Sequence, residues 1–186
     1  MMVLPGVFHP GIFISTGLMA EHMTSIDLSG RSFLELGAGA GRVALIAARR
    51  GAHVVASDIN PRAIDNVKLN AERNGLKVDT VVSDLFNGLP QRFDVIAINP
   101  PYYKYDPKTD AEKAFFAGSG HNYFVRLFPE LASRIRNGTQ VFMVLSGDLD
   151  RRPIDELARN SGISFTEVRR KIFLGEAQVV FVLTLL

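Results

Sequence analysis

A short apolar run, Phe33-Leu34-Glu35-Leu36, breaks into Gly37-Ala38-Gly39-Ala40-Gly41-Arg42 and is followed at once by Val43-Ala44-Leu45-Ile46-Ala47-Ala48-Arg49-Arg50. The first segment reads as a strand and the last as a helix, so the glycines sit at a strand–turn–helix junction. Gly37, Gly39 and Gly41 let the backbone turn sharply and let a ligand come close to it. One ligand with this habit is a nicotinamide dinucleotide, whose pyrophosphate rests on the helix N-terminus. Two details argue against it. The spacing is G-x-G-x-G rather than G-x-G-x-x-G, and a carboxylate, Glu35, stands just before the first glycine. An anion there repels a pyrophosphate but suits a cationic ligand with an amino group.

The same alternation continues along the chain. Residues 52–57 read as a second strand ending at Asp58, and residues 78–83 as a third ending at Asp84. Between them, Asn60 as N-cap, Pro61 at the first helical position and Asn74-Gly75 as a stop delimit a helix. Residues 123–136 carry Phe124, Leu127, Phe128, Leu131 and Ile135 on one stripe, which is the core face of a helix. Strands over residues 93–98 and 140–145, a helix over 154–160 and a closing antiparallel pair over 163–173 and 177–186 complete the pattern. Such alternation predicts an α/β fold with a doubly wound, mostly parallel sheet. The apolar tail from Val179 to Leu186 fits a buried central strand, or part of an interface. Asp58 lies about 20 residues beyond the glycines, where an acid binds ribose hydroxyls. Asp84, at the next strand end, could accept from an adenine amino group. Either acid alone also fits a solvated strand end or a helix N-cap.

The fourth strand, Phe93-Asp94-Val95-Ile96-Ala97-Ile98, runs straight into Asn99-Pro100-Pro101-Tyr102. Two consecutive prolines fix φ and remove two backbone donors, so carbonyls and one amide side chain face what lies beyond the strand. Such a site receives the N–H groups of a planar amide or an exocyclic amine, and the ring of Tyr102 can stack on a flat partner. A Pro-rich turn without chemistry would look the same in isolation.

Glu35-Leu36-Gly37-Ala38-Gly39-Ala40-Gly41, Asp58, Asp84 and Asn99-Pro100-Pro101-Tyr102 together resemble the class I S-adenosylmethionine-dependent methyltransferases. The resemblance runs from about Phe8 to the C-terminus. It implies a Rossmann-like seven-stranded sheet with an antiparallel C-terminal strand, and one methyltransferase domain over residues 1–186. Residues 1–30 would cover cofactor and substrate, and residues 31–186 would form the catalytic core. It assigns Glu35, Gly37, Ala38, Gly39, Gly41, Asp58, Ile59, Asp84, Leu85 and Asn99 to the cofactor site, with Thr16 or Ser15 on the cofactor carboxylate. Asn99, Pro100, Pro101 and Tyr102 form the catalytic set. The Asn-Pro-Pro-Tyr form resembles the subset that methylates planar nitrogens, glutamine N5 in proteins or adenine N6 in nucleic acids. Guanine-N2 enzymes of the superfamily more often carry Phe at the last position.

Charge and composition fit this reading without demanding it. The chain has no cysteine, and His9, His22, His53 and His121 show no metal-ligand spacing, so no metal site is expected. The N-terminus has no basic residue ahead of its apolar ones, and no apolar stretch reaches transmembrane length, so the cytoplasm is the expected compartment. A net charge of +2 with pI about 9.0 does not by itself require nucleic acid.

Two segments outside the scaffold are expected to carry specificity. Residues 15–23 read as a short helix capped by Ser15 or Thr16, similar to the family's segment that closes over the methionine end of the cofactor. Residues 103–122 form a long polar loop of the kind that is functional in compact domains. Its end resembles the loop-to-helix junction of the enzymes that methylate glutamine in peptide-chain release factors. In size the chain is similar to the short members that use a small activating subunit. The expected acceptor is thus a protein glutamine. Adenine N6 of RNA or DNA is the alternative, supported by the aromatic–Lys mixture at Tyr102-Tyr103-Lys104-Tyr105. A non-catalytic cofactor-binding scaffold is a third reading.

Overall fold

In chain order the elements are α1 (Ile14–Thr24), β1 (Ser32–Leu36), α2 (Arg42–Arg49), β2 (His53–Asp58), α3 (Pro61–Arg73), β3 (Asp79–Val82), β4 (Val95–Ile98), α4 (Asn122–Ala132), β5 (Gln140–Ser146), α5 (Arg152–Asn160), β6 (Ile163–Phe173) and β7 (Glu176–Leu185). The computed structural model describes residues 1–7, 14–90, 92–101, 118 and 120–186. The strands form one seven-stranded sheet in the order β3-β2-β1-β4-β5-β7-β6. Pairing is parallel from β3 through β5, and β7 runs antiparallel to both of its neighbours. This is the doubly wound, Rossmann-like sheet that the sequence predicts. The tail forms the internal strand β7, whose residues Val179, Val180, Phe181 and Leu183 are core while Thr184 and Leu185 are exposed.

Alternation along each strand sorts side chains onto the two faces. Leu34, Leu36, Ile96, Ile98, Val141, Met143 and Leu145 join Phe124, Leu127, Phe128 and Leu131 of α4 on one face. Phe33, Val95, Ala97, Phe142 and Val144 join Leu18, Met19 and Met23 of α1 and Val43 and Ala44 of α2 on the other. Central strands covered on both faces read as continuous apolar runs, as β4 does (Val95-Ile96-Ala97-Ile98, all buried). Helix starts are set locally. Asn60 Oδ1 accepts from Arg62 N at 3.0 Å and Pro61 opens α3.

Several boundaries depart from the sequence reading: β4 begins at Val95 and α5 at Arg152, and two helix ends differ for a physical reason. Ser15 and Thr16 are not caps but lie inside α1, which begins at Ile14. Most of this helix is covered, with Ser15, Thr16, Leu18, Met19, Ala20, His22 and Met23 all buried, and packing extends it past its polar residues. The helix over 123–136 stops at Ala132, beyond which Arg134 N bonds Leu131 O in a tighter turn that still delivers Ile135 to the core.

The chain leaves β1 toward β2 and β3, then returns to β1's other side through β4. The strand order therefore reverses between β1 and β4, and ligands of open α/β sheets bind in the crevice outside the carboxyl ends at such a point. Leu36 pairs with Ile98 there, so the glycine turn after β1 and Asn99 after β4 start side by side.

Candidate active site

The glycine turn is held from below. Gly37 N and Ala38 N both donate to Ser57 O at 2.9 Å, and Gly39 N donates to Asp58 Oδ2 at 2.9 Å. Gly37 adopts φ +77°, and among the described residues no atom lies within 4 Å of where a Cβ would stand, so they leave the backbone there uncrowded. Gly41 is glycine for a different reason. At φ +81°, its added Cβ would stand 2.9 Å from Val67 Cγ2 of α3. Asn70 of α3, fully buried, also donates to Ala40 O at 3.1 Å and pins the turn to the helix behind it.

Asp58 ends β2 at the rim of the crevice. Its Oδ1 accepts from Asn60 N at 2.8 Å while Oδ2 takes Gly39 N. Burial pushes its pKa up, and the N–H groups of Asn60, Gly39 and Ile59 pull it back. Each oxygen keeps lone-pair capacity beyond these bonds, so further donors would stabilise the desolvated charge. Ile59, 38% exposed, presents an apolar surface beside it.

Glu35 stands one residue before the end of β1. It is 5% exposed on the α2 side of β1, where Oε2 accepts from Ala44 N at 2.7 Å. Burial pushes its pKa up to about 8, against the lowering effect of the N–H groups of Ala44 and Val43. The carboxyl group thus secures the first turn of α2 through its hydrogen bond from Ala44 N.

Asp84 follows β3 and is engaged by Arg126 of α4, Nη2 to Oδ2 at 2.7 Å. Leu85 next to it has φ +50°, a left-handed conformation uncommon for a side-chain-bearing residue. Ser83 holds the distortion with a single hydroxyl proton shared between Leu85 O and Asn87 O, at 2.8 and 2.7 Å from its Oγ. Tyr123, at the start of α4, completes this edge. Burial, then the charges of Asp58 and Asp84, push its hydroxyl above the usual tyrosine range.

Asn99 is tied to α1. Its Nδ2 donates to Thr16 Oγ1 at 3.1 Å and to Ser15 Oγ at 3.4 Å. Pro100 is buried and Pro101 half-buried, while Tyr102 lies outside the described residues, as do residues 8–13 and the loop over 103–117. The fold thus brings Gly37, Ala38, Gly39, Asp58, Ile59, Thr16 and Asn99 to one end of the sheet. Among the described residues no group of three or more His, Cys, Asp or Glu converges on a metal-binding point, and no helix is long and apolar enough to cross a membrane.

Sequence reasoning missed Asn66, Asn70, Tyr123 and Arg126. Asn66 and Asn70 had a readable signal, two amides four residues apart beside Val67 on the inner face of α3.

The profile of the methyltransferase small domain matches residues 1–152. The chain belongs to this family. Among its relatives is a protein of Methanocaldococcus jannaschii, provisionally named a protein N5-glutamine methyltransferase, 34% identical over 130 residues. That match covers 65% of this chain and 64% of the relative. The ribosomal RNA small subunit methyltransferase C of Hamiltonella defensa is 34% identical over 125 residues, covering 64% of this chain and 37% of that protein. The chain thus spans less than two thirds of the length of these relatives. A T. Thermophilus 16S rRNA N2 methyltransferase in complex with AdoMet and guanosine superposes with TM-score 0.67 at 27% identity, over 96% of this chain and 45% of that one. A ribosomal protein L11 methylase from Lactobacillus delbrueckii subsp. bulgaricus shares the fold, with TM-score 0.67 at 19% identity over 90% and 77% of the two chains.

Methyltransferase small domains use S-adenosylmethionine. The residues here fit it. No described atom crowds the backbone at Gly37, the desolvated Asp58 carboxylate keeps acceptor capacity that would suit hydroxyl donors, and Ile59 leaves an exposed apolar surface that would suit a base.

Proposed function

We propose that this chain is an S-adenosylmethionine-dependent N-methyltransferase whose acceptor is a protein glutamine side chain, as in peptide-chain release factors, and that residues 1–186 act as one catalytic domain. The observation that carries the reading is the Asn99 amide at the end of β4. Its Nδ2 donates to Thr16 Oγ1 and Ser15 Oγ of α1, an orientation in which Oδ1 would serve as the acceptor for a substrate N–H group.

S-Adenosylmethionine, when bound, supplies an electrophilic methyl carbon on a sulfonium. The chain needs no covalent nucleophile of its own. An amide nitrogen is a poor nucleophile because its lone pair is delocalised. Asn99 Oδ1 and the Pro100 carbonyl would accept its two N–H groups, which fixes the direction of the lone pair. The same two carbonyls stabilise positive charge that develops on the nitrogen, by fixed dipoles rather than reorganising water. Tyr102 would stack on the planar group. Asp58 would take the ribose hydroxyls, and Asp84, Ile59 and Leu85 would frame the adenine.

The named glutamine-N5 relative supports the protein substrate. A second reading, the exocyclic amino group of a nucleobase such as adenine N6, draws support from the ribosomal RNA relatives, one of them in complex with guanosine. The test is methyl transfer from labelled S-adenosylmethionine to a purified release factor and, separately, to deproteinised ribosomal RNA. Label on a glutamine of the factor, abolished by Asn99→Ala with cofactor affinity retained, is the expected result. Label in RNA alone replaces the protein reading with the nucleobase one. Transfer that appears only when a small activating subunit is added would make the active species a heterodimer. Cofactor binding with no transfer under any of these conditions would mark a scaffold and overturn the proposal.

A further inference from the structure

We infer that the tip of the β6–β7 hairpin, Ile172-Phe173-Leu174, is a docking point for an apolar patch on the protein that carries the acceptor glutamine. The inference deepens the glutamine-methyltransferase reading and rests on it for the identity of the partner.

Ile172, Phe173 and Leu174 are 67%, 52% and 89% exposed, three successive large apolar side chains in water. Leu174 also adopts a backbone conformation that disfavours it. Phe173 pairs with Glu176, so Leu174 and Gly175 are the two central residues of the turn, with φ +51° and +86°. Positive φ at both marks a type I′ turn, whose first central position favours Asn, Asp or Gly. A leucine there strains the backbone and leaves its side chain exposed, so it weakens the hairpin on both counts. Residues that oppose the fold in this way gather at sites of function.

The fold carries this tip to the rim of the crevice. Only β5 separates β7 from β4, which leads into Asn99. The β5–β7 ladder ends at Ser146 and Gln178, at the carboxyl end of the sheet, and the hairpin continues past it. With strands about 4.8 Å apart and a rise of about 3.4 Å per residue, the turn stands roughly 10 Å beyond that rung and β7 roughly 10 Å to one side of β4. A folded protein that inserts one side chain into the crevice would bring its surface against the tip.

Charge and area select the occupant. Behind the tip, Arg169 and Lys171 are held by Glu21 at 3.0 and 2.9 Å, and Arg170 by Glu167 at 2.6 Å. These cations are already engaged, and the tip itself offers no charge to a polyanion. Three such side chains cover on the order of 400 Å² at full contact, below the ~1,200 Å² where stable interfaces between copies of a chain begin. They suit one apolar anchor of a transient encounter whose other anchor is the glutamine itself.

Leu174→Asn gives the turn a residue it favours and removes the anchor, whereas Leu174→Met keeps the anchor. The measurements are Tm, affinity for S-adenosylmethionine, affinity for a purified release factor by calorimetry, and kcat and KM for transfer to that factor and to a short peptide holding its acceptor glutamine. Leu174→Asn is expected to hold Tm or raise it by about 2–4 °C. Cofactor affinity, kcat and peptide turnover should stay within about twofold. Kd and KM for the factor should rise by about 10-fold, the loss of one buried apolar side chain. Leu174→Met should retain most of the affinity, and Phe173→Thr should repeat the loss. Unchanged Kd and KM in both Leu174→Asn and Phe173→Thr overturn the inference and leave the glutamine reading in place. An equal loss on the short peptide, or a lower Tm in Leu174→Asn, also overturns it, since Leu174 would then act within the chain. So does a dimer of the wild type that Leu174→Asn abolishes, or binding to phosphatidylserine vesicles lost in the same variant, because each assigns the tip another occupant. If the wild type binds the factor without methylating it and Leu174→Asn weakens that binding, the glutamine reading fails and the docking point stands. Wild type that labels RNA and binds no factor overturns both.

Discussion

Glu35 sits on the face of β1 that packs against α1 and α2, where the N–H groups at the start of α2 hold its charge. Its folded pKa of about 8 stands above the ordinary glutamate value of 4.5. Between those two values the folded state binds more protons than the unfolded one, so stability falls as pH rises through this window. The slope approaches about 1.4 kcal/mol per pH unit for one such group. Glu35→Gln keeps an oxygen for Ala44 N and removes the titration. Denaturant unfolding at pH 5, 6.5 and 8 should show wild type losing stability relative to the variant at each step. A constant difference across the three would show that Glu35 does not titrate in the fold.

The element that shapes the site from behind is α3. It meets the glycine turn at Val67, bonds Ala40 O through Asn70, and holds the N-terminal residues through buried amides: Asn66 with Leu4 N at 2.7 Å and Asn70 with Met2 N at 2.8 Å. Gly41→Ala would combine a left-handed backbone with a Cβ pressed on a stiff β-branched side chain. The strain costs about 1–2 kcal/mol and the overpacking about 1–3 kcal/mol more. Thermal or urea unfolding should show a loss of that size, and Val67→Ala in the same chain should recover only the packing part. Full recovery would mean that the conformation of Gly41 carries no strain. At the opposite edge, β6 is an exposed strand whose register shift between Glu167 and Arg169 and charged Arg170 and Lys171 disfavour pairing with another chain.

At the scale of the molecule, the crevice draws on β1, β2, β4 and α1 together, so a ligand seated there stabilises the whole fold by mass action. At about 100 times its dissociation constant, S-adenosylmethionine should add about 2.7 kcal/mol and raise Tm by roughly 5–10 °C for a chain of this size. Asp58→Ala should shrink that shift while leaving the unliganded Tm within a few degrees. An undiminished shift would remove Asp58 from the cofactor site.

The sequence by itself determined the α/β alternation, the sheet faces, the glycine turn and the strand-end positions of Asp58, Asp84 and Asn99. Each is written in local periodicity or in a residue with a forced backbone conformation, and such signals span a few positions. Tertiary structure decided what those side chains meet. Asn99 finds Thr16 and Ser15 at separations of 83 and 84 residues, and Asp84 finds Arg126 at 42. Glu35 meets the start of α2, at Ala44 N, because alternation puts it on the buried face. No periodicity encodes these pairings. They arise when packed elements bring distant polar groups into a space without water, where each must find a partner.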